Sequence, residues 1–125
     1  MPASDRQHAI PDPFPESLFH YTDETGYEGI LTTGQITPSL KSGPRKDADF
    51  GDGQYFTDIP PGKLTHALLA QRIYGNPLLS HRIPYFFEIN IGGLNLYEVR
   101  ENIFLVPNQV ALDVIKRRIS SGKNN

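Results

Sequence analysis

At 125 residues with 38% hydrophobic side chains, the chain is sized for one domain around one core. A formal net charge of −2 supplies no broad electrostatic footprint for nucleic acid or an anionic membrane, and the lack of cysteine excludes disulfides, thiolate metal sites and cysteine nucleophiles. No apolar run approaches the roughly 20 residues that span a bilayer, and the N-terminus lacks the apolar core of an ordinary secretion signal.

Residues 1–15 carry Pro2, Pro11, Pro13 and Pro15 among polar side chains and read as a flexible arm ahead of a domain over 16–119. Leu18-Phe19-His20-Tyr21 is the first strand candidate, with one histidine inside an apolar and aromatic run. Thr22 or Asp23 then caps a helix over Glu24–Leu31, in which Tyr27, Ile30 and Leu31 recur at helical spacing and Gly34 supplies the stop. Ile36-Thr37-Pro38 returns as a short edge strand. The polar loop from Ser39 to Asp52, with Lys41, Arg45 and Lys46 followed by Asp47 and Asp49, is long enough to be mobile or functional rather than a mere connection.

Gly51-Asp52-Gly53 suits a tight turn, and it feeds Gln54-Tyr55-Phe56-Thr57, a strand that Pro60-Pro61 stops. A tyrosine delivered by a glycine turn can offer its ring to a flat ligand. The same pattern also describes a hairpin whose aromatics fill the core. Lys63–Tyr74 reads as a helix, with Leu64 and Leu68 on one face and Leu69 and Ile73 beside them, ended by Gly75-Asn76-Pro77. Residues 84–91 form the strongest strand signal, and Gly92-Gly93 turns the chain into Leu94–Tyr97 as a hairpin partner. Ile103–Val106 is a further strand, Val110–Val114 a final strand or short helix, and the basic tail from Lys116 frays, with 120–125 disordered. The expected architecture is α+β: a split sandwich of two mainly antiparallel sheets, two short helices and a cleft between the sheets.

His8, His20, His66 and His81 show no metal-ligand spacing, no serine sits on a nucleophile elbow, and the glycines lead into a strand rather than a helix. No metal is expected. What remains is His20, Tyr55 and a carboxylate near the start of a late strand, for which Glu98, Glu101 and Asp113 are the candidates. His20 equally fits a core histidine bonded to a backbone carbonyl, and Glu101 a solvated strand-end charge.

The order of these residues carries a resemblance. His20-Tyr21-Thr22 followed by Tyr27-Glu28-Gly29-Ile30-Leu31 resembles the opening of the diphtheria-toxin-like ADP-ribosyltransferases. Gly51-Asp52-Gly53-Gln54-Tyr55-Phe56-Thr57-Asp58 is similar to the G-x-G-x-Y-F-x-D block of poly(ADP-ribose) polymerases, and Glu101-Asn102-Ile103-Phe104-Leu105-Val106, with Gln109-Val110 beyond, to their E-Y-x-V-Y block. The nearest likeness is to the toxin family named for its H-Y-D signature, over residues 18 to 115. Two departures stand out: Tyr21 replaces the polymerases' glycine, and glutamate stands where the family pattern has aspartate.

The resemblance implies an NAD-dependent mono-ADP-ribosyltransferase toxin or effector domain, with NAD as co-substrate and no metal. His20 would bind the adenosine ribose and the Tyr21 backbone the carboxamide. Tyr55 would pack on the nicotinamide, and Glu101 would bind the nicotinamide ribose and stabilise its developing cation. Thr22, Gly53 and Phe56 fall in the same blocks, and His66 stands where the polymerases place a second stacking tyrosine. A toxin of this kind would be a soluble domain delivered into a target cell's cytoplasm, acting on a macromolecular acceptor and met by a neutralising immunity protein. Arginine-modifying toxins carry Gln or Glu two residues before the catalytic glutamate, where this chain has Val99. Three alternatives stay open: an NAD glycohydrolase using water, an inactive nucleotide- or protein-binding module, and an NAD-consuming RNA phosphotransferase.

Overall fold

The computed structural model describes the backbone of His8–Ala9 together with residues 15–43 and 48–125. The rest of the expected N-terminal arm, and Arg45, Lys46 and Asp47 of the long loop, lie outside the described residues. Eleven elements follow in order: β1 His8–Ala9, β2 Ser17–Thr22, α1 Glu24–Thr33, β3 Gln35–Ile36, β4 Gly53–Thr57, α2 His66–Tyr74, β5 Tyr85–Asn90, β6 Tyr97–Arg100, β7 Ile103–Pro107, β8 Leu112–Asp113 and β9 Arg118–Lys123. A 3-10 turn over Pro77–Arg82 links α2 to β5. The strands form a seven-stranded sheet in the order β1-β6-β7-β4-β2-β5-β9 and a two-stranded sheet of β3 and β8, with every pairing antiparallel. The fold is α+β with two antiparallel sheets, as the sequence predicts.

Alternation along the strands sends side chains to two cores. Leu18, Phe56, Phe87, Ile89, Phe104 and Val106 face one side, where Ile30 of α1, Ile36 of β3 and Val114 close over them. On the other side Tyr21 meets Ile59, Ile83, and Leu69 and Ala70 of α2. Asp23 caps α1 by accepting from the Gly26 N–H at 2.8 Å, and Gly34 ends it in the left-handed region at φ 71°. Thr65 caps α2, so that helix starts three residues later than the apolar pattern suggests. Gly53 answers a packing constraint: at φ 149°, a Cβ there would lie 2.1 Å from the Val106 carbonyl oxygen.

Two expectations are corrected. The chain after Gly92-Gly93 does not fold back on β5. Ile91, Leu94 and Leu96 are drawn into the core, and the chain crosses to the far side of the sheet, where β6 pairs with β7. The tail does not fray either. β9 pairs with β5 from Arg118 to Lys123, and Asn124 beyond it is only 3% exposed. The polar composition misleads because this strand has an open edge, and the burial comes at the asparagine. Its side-chain amide donates to the Ile83 carbonyl at 3.2 Å and accepts from the Gly62 N–H at 3.2 Å. Its backbone donates to the Pro84 carbonyl at 2.8 Å and accepts from His66 Nε2 at 2.6 Å.

Asn124→Ala leaves the buried Ile83 carbonyl without its donor and removes the bond to the Gly62 N–H, so it should lower stability by about 1–3 kcal/mol. A urea unfolding midpoint equal to wild type would contradict this anchoring role.

Candidate active site

β2 pairs with β5 at all six positions, Ser17 to Thr22, but meets β4 only at Phe19↔Thr57. Continued in register, Tyr21 would face Tyr55; the two strands instead diverge. The partner of β4 on its other edge is β7, which it follows through five register pairs, Gly53↔Pro107 to Thr57↔Ile103. The sheet therefore splits between β2 and β4, and the β4-facing edge of residues 20–22 is left without a ladder. A cavity of about 680 Å³ opens at the split, bounded also by α1, the β3 segment and the end of α2. That volume lies in the ordinary range for small-molecule sites.

One side chain bridges the divergence. His20 Nδ1 donates to the Tyr55 carbonyl at 3.0 Å, and its ring lies 5.7 Å from that of Phe56. A carbonyl only accepts, so Nδ1 carries the proton and Nε2 of the neutral ring is an acceptor. Burial lowers the His20 pKa from 6.5, partly opposed by the bond to Tyr55. The histidine borders the cavity in a neutral form suited to receive a hydroxyl.

Thr22, Tyr21, Tyr55 and Phe56 also line the cavity. Gly26 makes room for the Thr22 hydroxyl, since a Cβ there would lie 2.0 Å from Oγ1. The Tyr21 phenol is buried and donates to the Ile59 carbonyl at 2.8 Å, and burial pushes its pKa well above the usual phenol range. Its side chain is thereby committed to the core on the α2 side of the sheet. Tyr55 Oη donates to the Gly51 carbonyl at 2.6 Å and accepts from the Phe50 N–H at 3.0 Å. The phenol thereby fixes the turn at Phe50-Gly51.

Other expected site residues stand apart from this group. Gly53 is packed against β7, and His66 holds the C-terminal strand through Asn124; neither lines the cavity. Glu101 is exposed in the two-residue turn between β6 and β7, outside the lining, although Arg100 and Ile103 on either side of it contribute. The turn is clamped from two directions. Arg100 donates to the Ile73 carbonyl at 2.7 Å, while Asn102, at φ 68°, accepts from Arg72 at 2.5 Å and donates to Asp58 at 2.8 Å. Glu98 lies opposite His8 and Phe104, and Asp113 accepts from the Ile115 N–H; neither borders the cavity.

Four contributors escape the sequence reading. Gln54, 1% exposed, donates to the Ile36 and Val110 carbonyls at 2.9 Å each, tying the small sheet to the large one beside the cavity. Asp52 accepts from the Lys41 N–H at 2.7 Å and from Gln109 at 3.1 Å, holding the near end of the long loop. Those bonds, led by the Lys41 N–H, hold its carboxyl below the usual range. Among the described residues, Arg82 and Arg100 are the arginines that line the cavity. The strand-like composition around Gln54 hinted at burial; nothing in the sequence singled out the arginines.

The split sheet, with a histidine and a tyrosine from neighbouring strands on one cavity, defines a small-ligand site built between diverging strands. A family model described as HYD1 signature containing ADP-ribosyltransferase matches residues 18–118, and the chain belongs to that family of toxin-type ADP-ribosyltransferase domains. No curated protein and no solved structure gives a significant match to the chain. Among the described residues, no helix is long and apolar enough to cross a membrane.

His20 titrates with a pKa depressed on folding, so its contribution to stability is complete above about pH 6.5 and is lost as pH falls through the folded-state value. Thermal melts from pH 7.5 to 5 should therefore show a decline in wild type that is smaller in His20→Gln. Equal declines in the two proteins would contradict the buried neutral histidine.

Proposed function

We propose that the chain is an NAD-dependent mono-ADP-ribosyltransferase whose reaction takes place in the β2–β4 cleft. The observation that carries this reading is the convergence of His20, the open edge at Tyr21-Thr22 and Tyr55 on one cavity of about 680 Å³, inside the segment that defines the family. Cleavage breaks the bond between the ribose anomeric carbon and the nicotinamide nitrogen. The electron pair leaves with the nicotinamide, which becomes neutral, and the sugar becomes oxocarbenium-like. An acceptor then adds to that carbon and releases a proton.

Each residue has a task in this reading. Nε2 of neutral His20 accepts a hydroxyl of the adenosine ribose, and the Tyr21 backbone on the unpaired strand edge holds the carboxamide. Tyr55 packs its ring on the nicotinamide, because its hydroxyl is already engaged by Gly51 and Phe50. Glu101, exposed in a turn whose neighbours Arg100 and Ile103 line the cavity, would swing its carboxylate over the cavity mouth to supply negative charge beside the developing cation. A charge that acts mainly on the transition state lowers the barrier without tightening ground-state binding. Water as acceptor is the second reading; Val99, two residues before Glu101 and 4% exposed, counts against arginine as the acceptor because the position lacks the Gln or Glu that arginine-modifying toxins carry there.

Glu101→Gln should keep NAD affinity within a few-fold yet cut nicotinamide release about 100-fold or more, equivalent to roughly 3 kcal/mol of barrier. Glu98→Gln should change neither quantity appreciably. Chromatographic assay of free nicotinamide, with and without protein acceptors, checks both variants and separates transfer from hydrolysis. The reverse pattern would move the catalytic role away from Glu101. Binding of NAD by wild type with no nicotinamide released under any acceptor would establish a binding module instead.

A further inference from the structure

We propose that Arg82 and Arg100 form an anion subsite at the α2 end of the cavity, built to take a phosphoryl group. The inference deepens the NAD reading above and rests on it for the identity of the ligand. Both side chains line the cavity. Arg100 donates to the Ile73 carbonyl at 2.7 Å, and the Arg82 guanidinium carbon lies 5.5 Å from the centroid of the Tyr74 ring. Successive residues at the C-terminal end of α2 thus tether both arginines, Ile73 through its carbonyl and Tyr74 through its ring. The exposed carbonyls of a helix C-terminus favour positive charge there, and an aromatic face adds to the attraction.

The hydrogen-bonding state of Arg82 points to a ligand. A guanidinium has five N–H donors in a rigid fork. Among the described residues none of those of Arg82 is matched to an acceptor, and its Nε is closed off from solvent without a partner. Buried donors are nearly always satisfied, so this one calls for a cause. Nor does any carboxylate among the described residues form an ion pair with it. Of the acids on the cavity wall, Asp23 is committed to the α1 cap, and neither it nor Asp49 pairs with either arginine.

Guanidiniums on the wall of one cavity match the several oxygens of a phosphoryl group, which a fork can grip through paired bonds. A cationic acceptor such as an arginine side chain would instead meet like charge. The phosphoryl group has two possible sources, the pyrophosphate bridge of NAD or a phosphate on the acceptor.

Isothermal titration at fixed low ionic strength tests the subsite with three probes: inorganic pyrophosphate, NAD, and nicotinamide riboside, which lacks phosphate. The proteins are wild type, Arg82→Gln, Arg82→Lys, and Arg118→Gln as a charge-matched change on exposed β9, all with matching circular dichroism. Loss of a charge-assisted bond should raise the pyrophosphate dissociation constant about tenfold or more in Arg82→Gln, with partial retention in Arg82→Lys and little effect from Arg118→Gln. A parallel loss for NAD, with nicotinamide riboside unchanged, assigns the group to NAD; unchanged NAD affinity assigns it to the acceptor. Absent pyrophosphate binding, or equal binding by wild type and Arg82→Gln, overturns the subsite even where wild type releases nicotinamide. Arg82-dependent pyrophosphate binding in a protein that never cleaves NAD overturns the NAD reading and leaves the subsite standing.

Discussion

Where β2 leaves β4, a hydrogen-bonded sheet gives way to a hole, and the bond from His20 Nδ1 to the Tyr55 carbonyl crosses it. The backbone groups along a strand edge need partners, so two strands separate only where something else serves those groups or a ligand is to do so. β2 is secured on its other side by β5 along its whole length, and β4 by β7, so each half of the sheet persists without the missing ladder. The histidine sets the separation. It also fixes its own tautomer in doing so, because the carbonyl demands a donor at Nδ1. One contact therefore determines the shape of the cleft and the chemical character of the nitrogen left beside it.

The packing around this split explains why it does not collapse. Phe56 and Leu18 belong to the core under α1, whereas Tyr21 is pulled into the opposite core by Ile59, Leu69 and Ile83. The bond from its phenol to the Ile59 carbonyl commits it to that side. Gln54, buried in the next strand, draws β3 and the segment after β7 against the large sheet, and the small sheet becomes a wall of the cavity. Asn124 acts at a distance, joining the loop at Gly62, the start of α2 and the start of β5. The cleft is thus framed by polar anchors buried in otherwise apolar surroundings, where low local dielectric strengthens each bond.

Much of this was legible in the sequence, and the gaps have physical reasons. The helix over Glu24 to Thr33 announces itself through Asp23 and Gly34, because capping is local chemistry. The strand from Gly53 to Thr57 is equally plain from its glycine turn and aromatic content. His20 and Tyr55 were brought together by a family likeness, and the fold places them on one cavity. Strand partners were harder to read: the Gly92-Gly93 turn looks like a hairpin, yet Ile91 and Leu96 gain more by burial in the shared core than a local hairpin would offer. β9 escaped notice because Arg118, Ser120 and Ser121 carry no apolar alternation, and its order comes from β5 and from Asn124. Arg82 was invisible since an isolated arginine in a 3-10 turn has no pattern at all.

If NAD binds in the β2–β4 split as proposed, His20 receives a ligand hydroxyl at Nε2. Long-range ¹H–¹⁵N spectra of the imidazoles, recorded while a hydrolysis-resistant NAD analogue is titrated, read this nitrogen directly. The expected result is a saturable shift of His20 Nε2 toward a hydrogen-bonded value, with Nδ1 remaining protonated and the His66 and His81 signals unmoved. A His20 ring that is unchanged at saturating ligand, or one whose Nε2 carries the proton, would contradict it.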